Sequence, residues 1–174
     1  MGKGVREAEV DFIQVNAMRE ACDRLPTGLY LLSAGHDDSR AGTLVMGVHQ
    51  CASEPLLLCI PVRRGHRINP LIRDSRSFAV CSIDPEDRAI RRRFEFHPSA
   101  EEYHDPFDAL PVVTLGTGAP ILRSSVLAFD CEVVRHIDID ADHELYIGRV
   151  VAARINGEGP PPLRASQIGP LHVD

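Results

Sequence analysis

The stretch that decides the fold runs from Arg40 to Ile72, RAGTLVMGVHQCASEPLLLCIPVRRGHRINPLI. Thr43 to Val48 and Leu56 to Val62 are apolar runs. Turn-formers bound them: Ala41-Gly42 before the first, Ser53-Glu54-Pro55 between the two, and Arg64-Gly65 after the second. Short apolar runs punctuated in this way predict buried strands. The first leads into polar His49 and Gln50, and the second into Arg63-Arg64-Gly65-His66-Arg67. Neighbouring strands whose ends release donors and cations side by side predict a pocket for an anionic ligand.

Working outward, Leu29 to Ser33 reads as a strand and Gly35 to Ser39 as a turn, so an antiparallel hairpin feeds the central stretch. Upstream, Val10, Ile13, Ala17 and Cys22 give Glu7 to Cys22 an imperfect apolar helical face, closed by Pro26 and Gly28. Downstream, Asn69-Pro70 predicts a cap and first position for a short helix over Leu71 to Arg73. Phe78 to Ser82 is a strand. Asp84-Pro85-Glu86-Asp87 repeats the helix-start chemistry, and Arg91-Arg92-Arg93 fall in that helix's last turn, where cations are favoured, with its end at Phe94 or Phe96. His97 to Leu110 reads as loop and Val112 to Leu115 as a short strand. Val126 to Val134 and Leu145 to Ile155 are the longest strand candidates. Six or seven strands, joined too briefly for crossover helices, predict a mainly β chain: an antiparallel barrel with a few short peripheral helices. The expected organisation is a helical segment over 1–24, a barrel domain over 25–156 and a Gly/Pro-rich tail over 157–174.

At 174 residues with 44% hydrophobic content, the chain is long enough for one domain with a real core. A formal charge of −6 offers no general attraction for nucleic acid or an anionic membrane. The charge is uneven, because nine of the 19 Lys+Arg residues lie between Arg63 and Arg93. Such a cluster is either a solvated basic face or a patch for a small phosphorylated ligand. Of five cysteines, Cys51, Cys59, Cys81 and Cys131 sit in apolar strand-like segments and are expected as small buried hydrophobes. An odd count without Cys-x-x-Cys, a secretory signal or a membrane-length apolar run leads to the expectation of a reducing, cytoplasmic setting.

Several familiar chemistries fit poorly. Gly116-Thr117-Gly118 lacks a third glycine at dinucleotide spacing, and Pro120 stands where the helix should begin. Asp138, Asp140 and Asp142 match the first ligand positions of a calcium loop, but His143 takes the glycine position and Arg149 that of the bidentate Glu. A polar hairpin linking two strands is the better reading. No nucleophile elbow, Ser-x-x-Lys, P-loop or zinc-protease motif is present.

The order of segments says more than any one motif. It begins with Leu25-Pro26-Thr27-Gly28-Leu29-Tyr30-Leu31-Leu32, the Ala-Gly strand from Ala41, and Ser53-Glu54-Pro55-Leu56-Leu57 before a basic loop. Ile72-Arg73-Asp74-Ser75-Arg76-Ser77-Phe78-Ala79-Val80 and Arg92-Arg93-Phe94 follow. Gly118-Ala119-Pro120-Ile121-Leu122 and Asp142-His143-Glu144-Leu145-Tyr146-Ile147-Gly148-Arg149-Val150 complete it. Together they resemble the flavin reductase-like family, whose fold is the FMN-binding split barrel.

The resemblance implies a homodimer with flavin near the subunit interface, FMN or alternatively FAD. It implies NADH or NADPH as hydride-donating co-substrate and a partner monooxygenase that receives reduced flavin. By position, Thr43, Leu44, Val45, Met46, Gly47 and Val48 would line the flavin ring, Gln50 and Ser53 would follow at the ribityl chain, and Arg63, Arg64, His66 and Arg67 would hold the phosphate. Arg93 and Phe94 would close over the site, and His143 would stand near the nicotinamide as the catalytic residue. Members usually carry a Ser/Thr-rich strand where this chain has Leu44-Val45-Met46-Gly47-Val48, so ring contacts there would be mostly backbone. Two other readings remain open at this point: a flavin-binding electron-transfer module, and a cofactor-free dimeric interaction protein of the same fold.

Overall fold

The computed structural model describes residues 16–25, 27–84, 86–95 and 104–157. Helical residues 16–22 (α1) are exposed, and the rest of the expected N-terminal helix and nearly all of the tail lie outside the described residues. Nine strands follow: β1 (Tyr30–His36), β2 (Ser39–Val45), β3 (His49–Ser53), β4 (Leu56–Arg63), β5 (Ser77–Ser82), β6 (Val112–Val113), β7 (Ile121–Leu122), β8 (Leu127–Asp138) and β9 (His143–Ile155). Helices α2 (Ile68–Ser75) and α3 (Arg88–Glu95) flank β5 in sequence. Seven strands form one antiparallel sheet in the order β2-β1-β5-β8-β9-β4-β3, and β6 pairs with β7 separately.

That order contains a constraint. β2 and β3 are opposite edges of the sheet, yet only Met46, Gly47 and Val48 join them. Laid flat, six inter-strand spacings of ~4.8 Å would hold the edges nearly ~30 Å apart. The four steps from Val45 to His49 reach at most ~14 Å. The sheet must therefore curl into a barrel. Gly47 meets β4 at the closure, where a Cβ would stand 2.7 Å from Cγ of Pro61. β3 pairs only with Leu56 to Cys59, so beyond Cys59 β4 is an edge, the setting in which a strand proline is tolerated. The barrel stays split between β2 and the end of β4.

Alternation along the strands makes two cores. Leu32, Ala41, Val45, Ile60, Val62, Phe78, Val80 and Tyr146 fill the barrel with Ile68 and Ile72 of α2. Leu31, Ala79, Cys81, Ile121 and Ala128 form the second core with Phe94 of α3 and Phe107. Gly148 makes the barrel packing possible, since a Cβ there would run into the Phe78 ring and stand 2.8 Å from Cβ of Cys131.

Local expectations are corrected in four places. Thr43 to Val48 is not one strand; β2 stops at Val45, and His49 and Gln50 begin β3. Asn69 does not cap α2, because its Nδ2 donates to Arg63 O at 2.8 Å and Arg67 is the cap residue. Helix α3 starts after Asp87, whose Oδ1 accepts from Ile90 N at 3.0 Å, while Asp84 makes a turn by accepting from Glu86 N at 2.9 Å. Cys51 is exposed, not core, because a bulge between Gln50 and Ala52 leaves it unpaired. Of the other strand cysteines, Cys81 and Cys131 are buried and Cys59 is partly so. Burial pushes the Cys81 thiol up to about 11 and, with Asp130 beside it, the Cys131 thiol up to about 12. Neither is a thiolate at neutral pH.

Gly148→Ala forces a methyl group into a filled barrel. It is expected to cost about 1–3 kcal/mol of stability, read as a lowered urea midpoint at unchanged slope. An unchanged midpoint would mean that Phe78 yields without strain.

Candidate functional site

The slot in the barrel is a cleft of about 200 Å³ lined by Thr43, Leu44, Val45, Met46 and Gly47 on one side and by Pro61, Val62, Arg63, His66 and His143 on the other. Its placement follows from closure: β2 ends where β4 runs into the basic loop, and the β9 start pairs across β4, Arg63 opposite His143. One wall is apolar. The other end gathers an arginine and two histidines, with no carboxylate in the lining.

The basic loop is braced from within. Arg63 O accepts from His66 N at 3.2 Å and from Asn69 Nδ2 at 2.8 Å, and Nδ1 of His66 accepts from Ile68 N at 3.1 Å. It is also tied to the β8–β9 hairpin. Arg64 N donates to Asp142 O at 2.8 Å, and its Nε donates to Ala141 O at 2.9 Å. The guanidinium grips Asp138 with both terminal nitrogens, Nη1 to Oδ2 at 2.9 Å and Nη2 to Oδ1. That fork, with an added bond from Asp140 N, holds the Asp138 carboxyl down to about 2. In the same hairpin Nδ1 of His143 lies 3.0 Å from Oδ1 of Asp142, and that contact lowers the Asp142 carboxyl. The acidic run is a polar turn between strands, with the carboxylates of Asp138 and Asp142 engaged by Arg64 and His143.

Of the residues expected at the site, Thr43, Leu44, Val45, Met46, Gly47, Arg63, His66 and His143 come together around the cleft. Val48 is half-buried against the barrel core. Gln50 and Ser53 sit on the exposed strand β3, Nε2 of Gln50 donating to Ser53 Oγ at 3.1 Å. Arg64 and Arg67 are not in the lining, and Arg64 faces the hairpin. Arg93 and Phe94 are elsewhere. Arg93 Nη2 donates to Asp108 O at 2.6 Å. Phe94 is buried against Gly42 of β2 and stands 5.1 Å from the Phe107 ring centroid.

Sequence reasoning missed Pro61 and Val62 in the cleft, and it missed Glu144. Glu144 alternates onto the face of β9 opposite His143, and its carboxylate is almost fully buried. Arg73 Nη2 donates to both oxygens, at 2.9 and 2.8 Å, and Nε2 of His136 lies 2.5 Å from Oε2. The Tyr146 hydroxyl donates to Oε1 at 3.3 Å. Burial raises the Glu144 carboxyl, but the bonds from His136 and Arg73 outweigh it and leave it lowered. Period-two alternation with Tyr146 and Gly148 was the available signal. The loop Gly116-Thr117-Gly118 likewise has a structural role, with Thr117 donating from its backbone N (2.8 Å) and its hydroxyl to buried Asp130.

The family model described as flavin reductase like domain matches residues 22–169. The chain belongs to this family. A ferric-chelate reductase (NAD(P)H) of Archaeoglobus fulgidus is 25% identical over 78% of this chain and 80% of its own length. A diflavin flavoprotein A 2 of Synechocystis sp. is 29% identical over 79% of this chain, which spans only 24% of that larger protein. Among solved structures, nitrilotriacetate monooxygenase component B from Mycobacterium thermoresistibile superposes with a TM-score of 0.74 at 20% identity, covering 87% of this chain and 81% of that one. The structural likeness establishes the fold, a flavin reductase-type antiparallel barrel.

The Arg64–Asp138 fork makes a pH-dependent contribution with a defined sign. A depressed carboxyl stabilises the fold fully above its ordinary value of 3.8 and loses that contribution as pH falls towards about 2. Carbon-detected NMR titration should place the Asp138 midpoint near 2 in the wild type, and Arg64→Ala should return it to the ordinary carboxylate range. A midpoint that ignores Arg64→Ala would disprove the fork.

Proposed function

We propose that the chain is an NAD(P)H-dependent flavin reductase that binds FMN in the cleft, with FAD as the alternative flavin. The observation that carries this reading is the cleft's polarity: an apolar wall from Leu44 to Met46 facing an end where Arg63 brings a positive charge and His66 a ring N–H donor. That donor set suits a flat ring carrying an anionic tail, and the family match makes flavin the fitting candidate. The names of the relatives support the nicotinamide co-substrate.

Thr43 to Gly47 hold the ring, chiefly through backbone, since Thr43 brings the lining's only hydroxyl. Arg63 and His66 hold the phosphate by charge-assisted hydrogen bonds. His143, with Asp142 at Nδ1, keeps Nε2 for a ligand in the cleft and orients the nicotinamide. Flavin, when bound, supplies the two-electron acceptor chemistry, and the protein supplies position and electrostatics.

A second copy of the chain completes the site. The cleft is smaller than the ~300–1,000 Å³ of most small-molecule sites. The outer faces of β4 and β9 carry an apolar row: Cys59 opposite Ile147, and Pro61 opposite Leu145, which in turn faces Ile137 of β8. Ile137 and Val151 are exposed. Pro61 belongs to both the row and the cleft, so a symmetric partner on that face also walls the flavin. A monooxygenase taking up reduced flavin, in the cytoplasm, completes the proposal. No helix among the described residues is long and apolar enough to cross a membrane.

Purified protein with FMN should lose its visible absorbance on anaerobic addition of NADH or NADPH, and light scattering should give a dimer mass. Persistent colour would reject the reductase in favour of an electron-transfer module, and failure to bind any flavin would reject both. Arg63→Ala should weaken FMN about ten- to a hundredfold, from ~1.5–3 kcal/mol per charge-assisted bond. Riboflavin, lacking phosphate, should lose little. Equal losses would remove the phosphate from the Arg63 end.

A further inference from the structure

Glu144 lies beside the cleft without touching it. It pairs with Val62 of β4, one residue from the Arg63–His143 pair, and points into the barrel while His143 points out. Its partners come from two other elements, Arg73 from α2 and His136 from β8, the His136 ring stacking on Tyr146 at 4.7 Å and 15°. A buried ion pair is a weak source of net stability, because desolvation cancels most of the attraction. What such a pair does well is fix geometry.

The geometry it fixes is that of the anion loop. The loop is hydrogen-bonded to the first turn of α2 through Asn69 and Ile68, so loop and helix form one body. Ile68 and Ile72 sink one face of α2 into the core with Leu71 packed beside them, an apolar contact that sets the depth of the helix but has little directionality of its own. Arg73 extends from the last turn, five residues or ~7.5 Å along the axis from Ile68. Its two bonds to one carboxylate add a directional anchor at this end of the helix, beside the backbone bond from Val133 N to Arg76 O. Both ends of the loop–helix body are then tied to the β8–β9 pair, Arg64 at the exposed hairpin and Arg73 at the buried carboxylate.

We propose that Glu144 is a positioning residue for the phosphate end of the cleft, acting through Arg73 to set α2 and the loop carrying Arg63 and His66 against His143. The proposal rests on the reading of that loop as the phosphate holder. Its effect is selective: loosening α2 displaces the phosphate ligands and leaves the ring wall on β2 intact.

The test measures FMN and riboflavin affinity by fluorescence quenching, with hydrogen exchange of the amides of residues 63–68, for wild type, Glu144→Gln, Arg73→Gln and the double variant. Glu144→Gln keeps the shape and removes the charge; Arg73 is half-exposed, so Arg73→Gln leaves the core filled. Each single variant should weaken FMN about tenfold, change riboflavin less than twofold and speed exchange in the loop, and the double variant should lose no more than either single. Equal losses for both ligands, or unchanged FMN affinity, would overturn the positioning role. Should Glu144→Gln fail to fold, Arg73→Gln decides alone. A wild type that binds FMN no better than riboflavin would refute the phosphate reading itself, and the proposal with it, before any variant is compared.

Discussion

Three residues bridging opposite edges of a seven-stranded sheet set the terms for everything else in this protein. Met46-Gly47-Val48 is too short for a flat sheet, so hydrogen bonding alone cannot decide its shape. The link imposes closure, and the contact of Gly47 with Pro61 limits how far closure goes. A fully paired barrel would have no slot. Here β3 leaves β4 at Cys59, and the unpaired end of β4 faces the end of β2 across the cleft. The same mismatch that strains a flat sheet makes the cleft.

The arginine cluster shows how little a run of charge says before the fold is known. Arg64 and Arg73 are spent on Asp138 and Glu144, and Arg93 and Arg76 on the carbonyls of Asp108 and Val133. Arg63 is the member that reaches the cleft lining. A solvated face and a ligand patch were the two simple readings, and most of the cluster is neither. These side chains tie a loop and two helices to their neighbours, and carboxylates meet the charge of Arg64 and Arg73.

Much of this was legible in order along the chain. The β1–β2 hairpin, the turn at Glu54-Pro55, strand β5 and the long β8–β9 pair follow from alternation and turn residues, which are local properties. So was the mainly antiparallel barrel, because the connections are too short for anything else. The break at Met46 was not legible, since its cause is the meeting of β2 with β4, far apart in sequence. The cap positions failed for a related reason. Asn69 could cap a helix or close a loop, and the nearby Arg63 carbonyl decided for the loop. The family resemblance placed Phe94 over the site by position, but an apolar ring next to Gly42 and Phe107 is more stable inside.

Strand β9 carries the tightest coupling between fold and site. His143 and Glu144 are adjacent and so face opposite sides: one belongs to the cleft, the other to the buried clamp. A register slip of one residue would exchange them, sending a carboxylate to the cationic end of the cleft and leaving Arg73 without its partner. The register is therefore held by something a slip cannot satisfy. Gly148 shares the face of Glu144 and lies under the Phe78 ring, where no other side chain fits. In either direction a slip would press Ile147 or Arg149 against that ring. The two bulges of the β8–β9 pair, an extra Val151 in β9 opposite the Asp130–Cys131 step and an extra Val134 in β8, leave the β4 side regular, where pairing with β9 is continuous from Leu57 to Arg63. A glycine inside the barrel thus keeps a histidine facing the cleft.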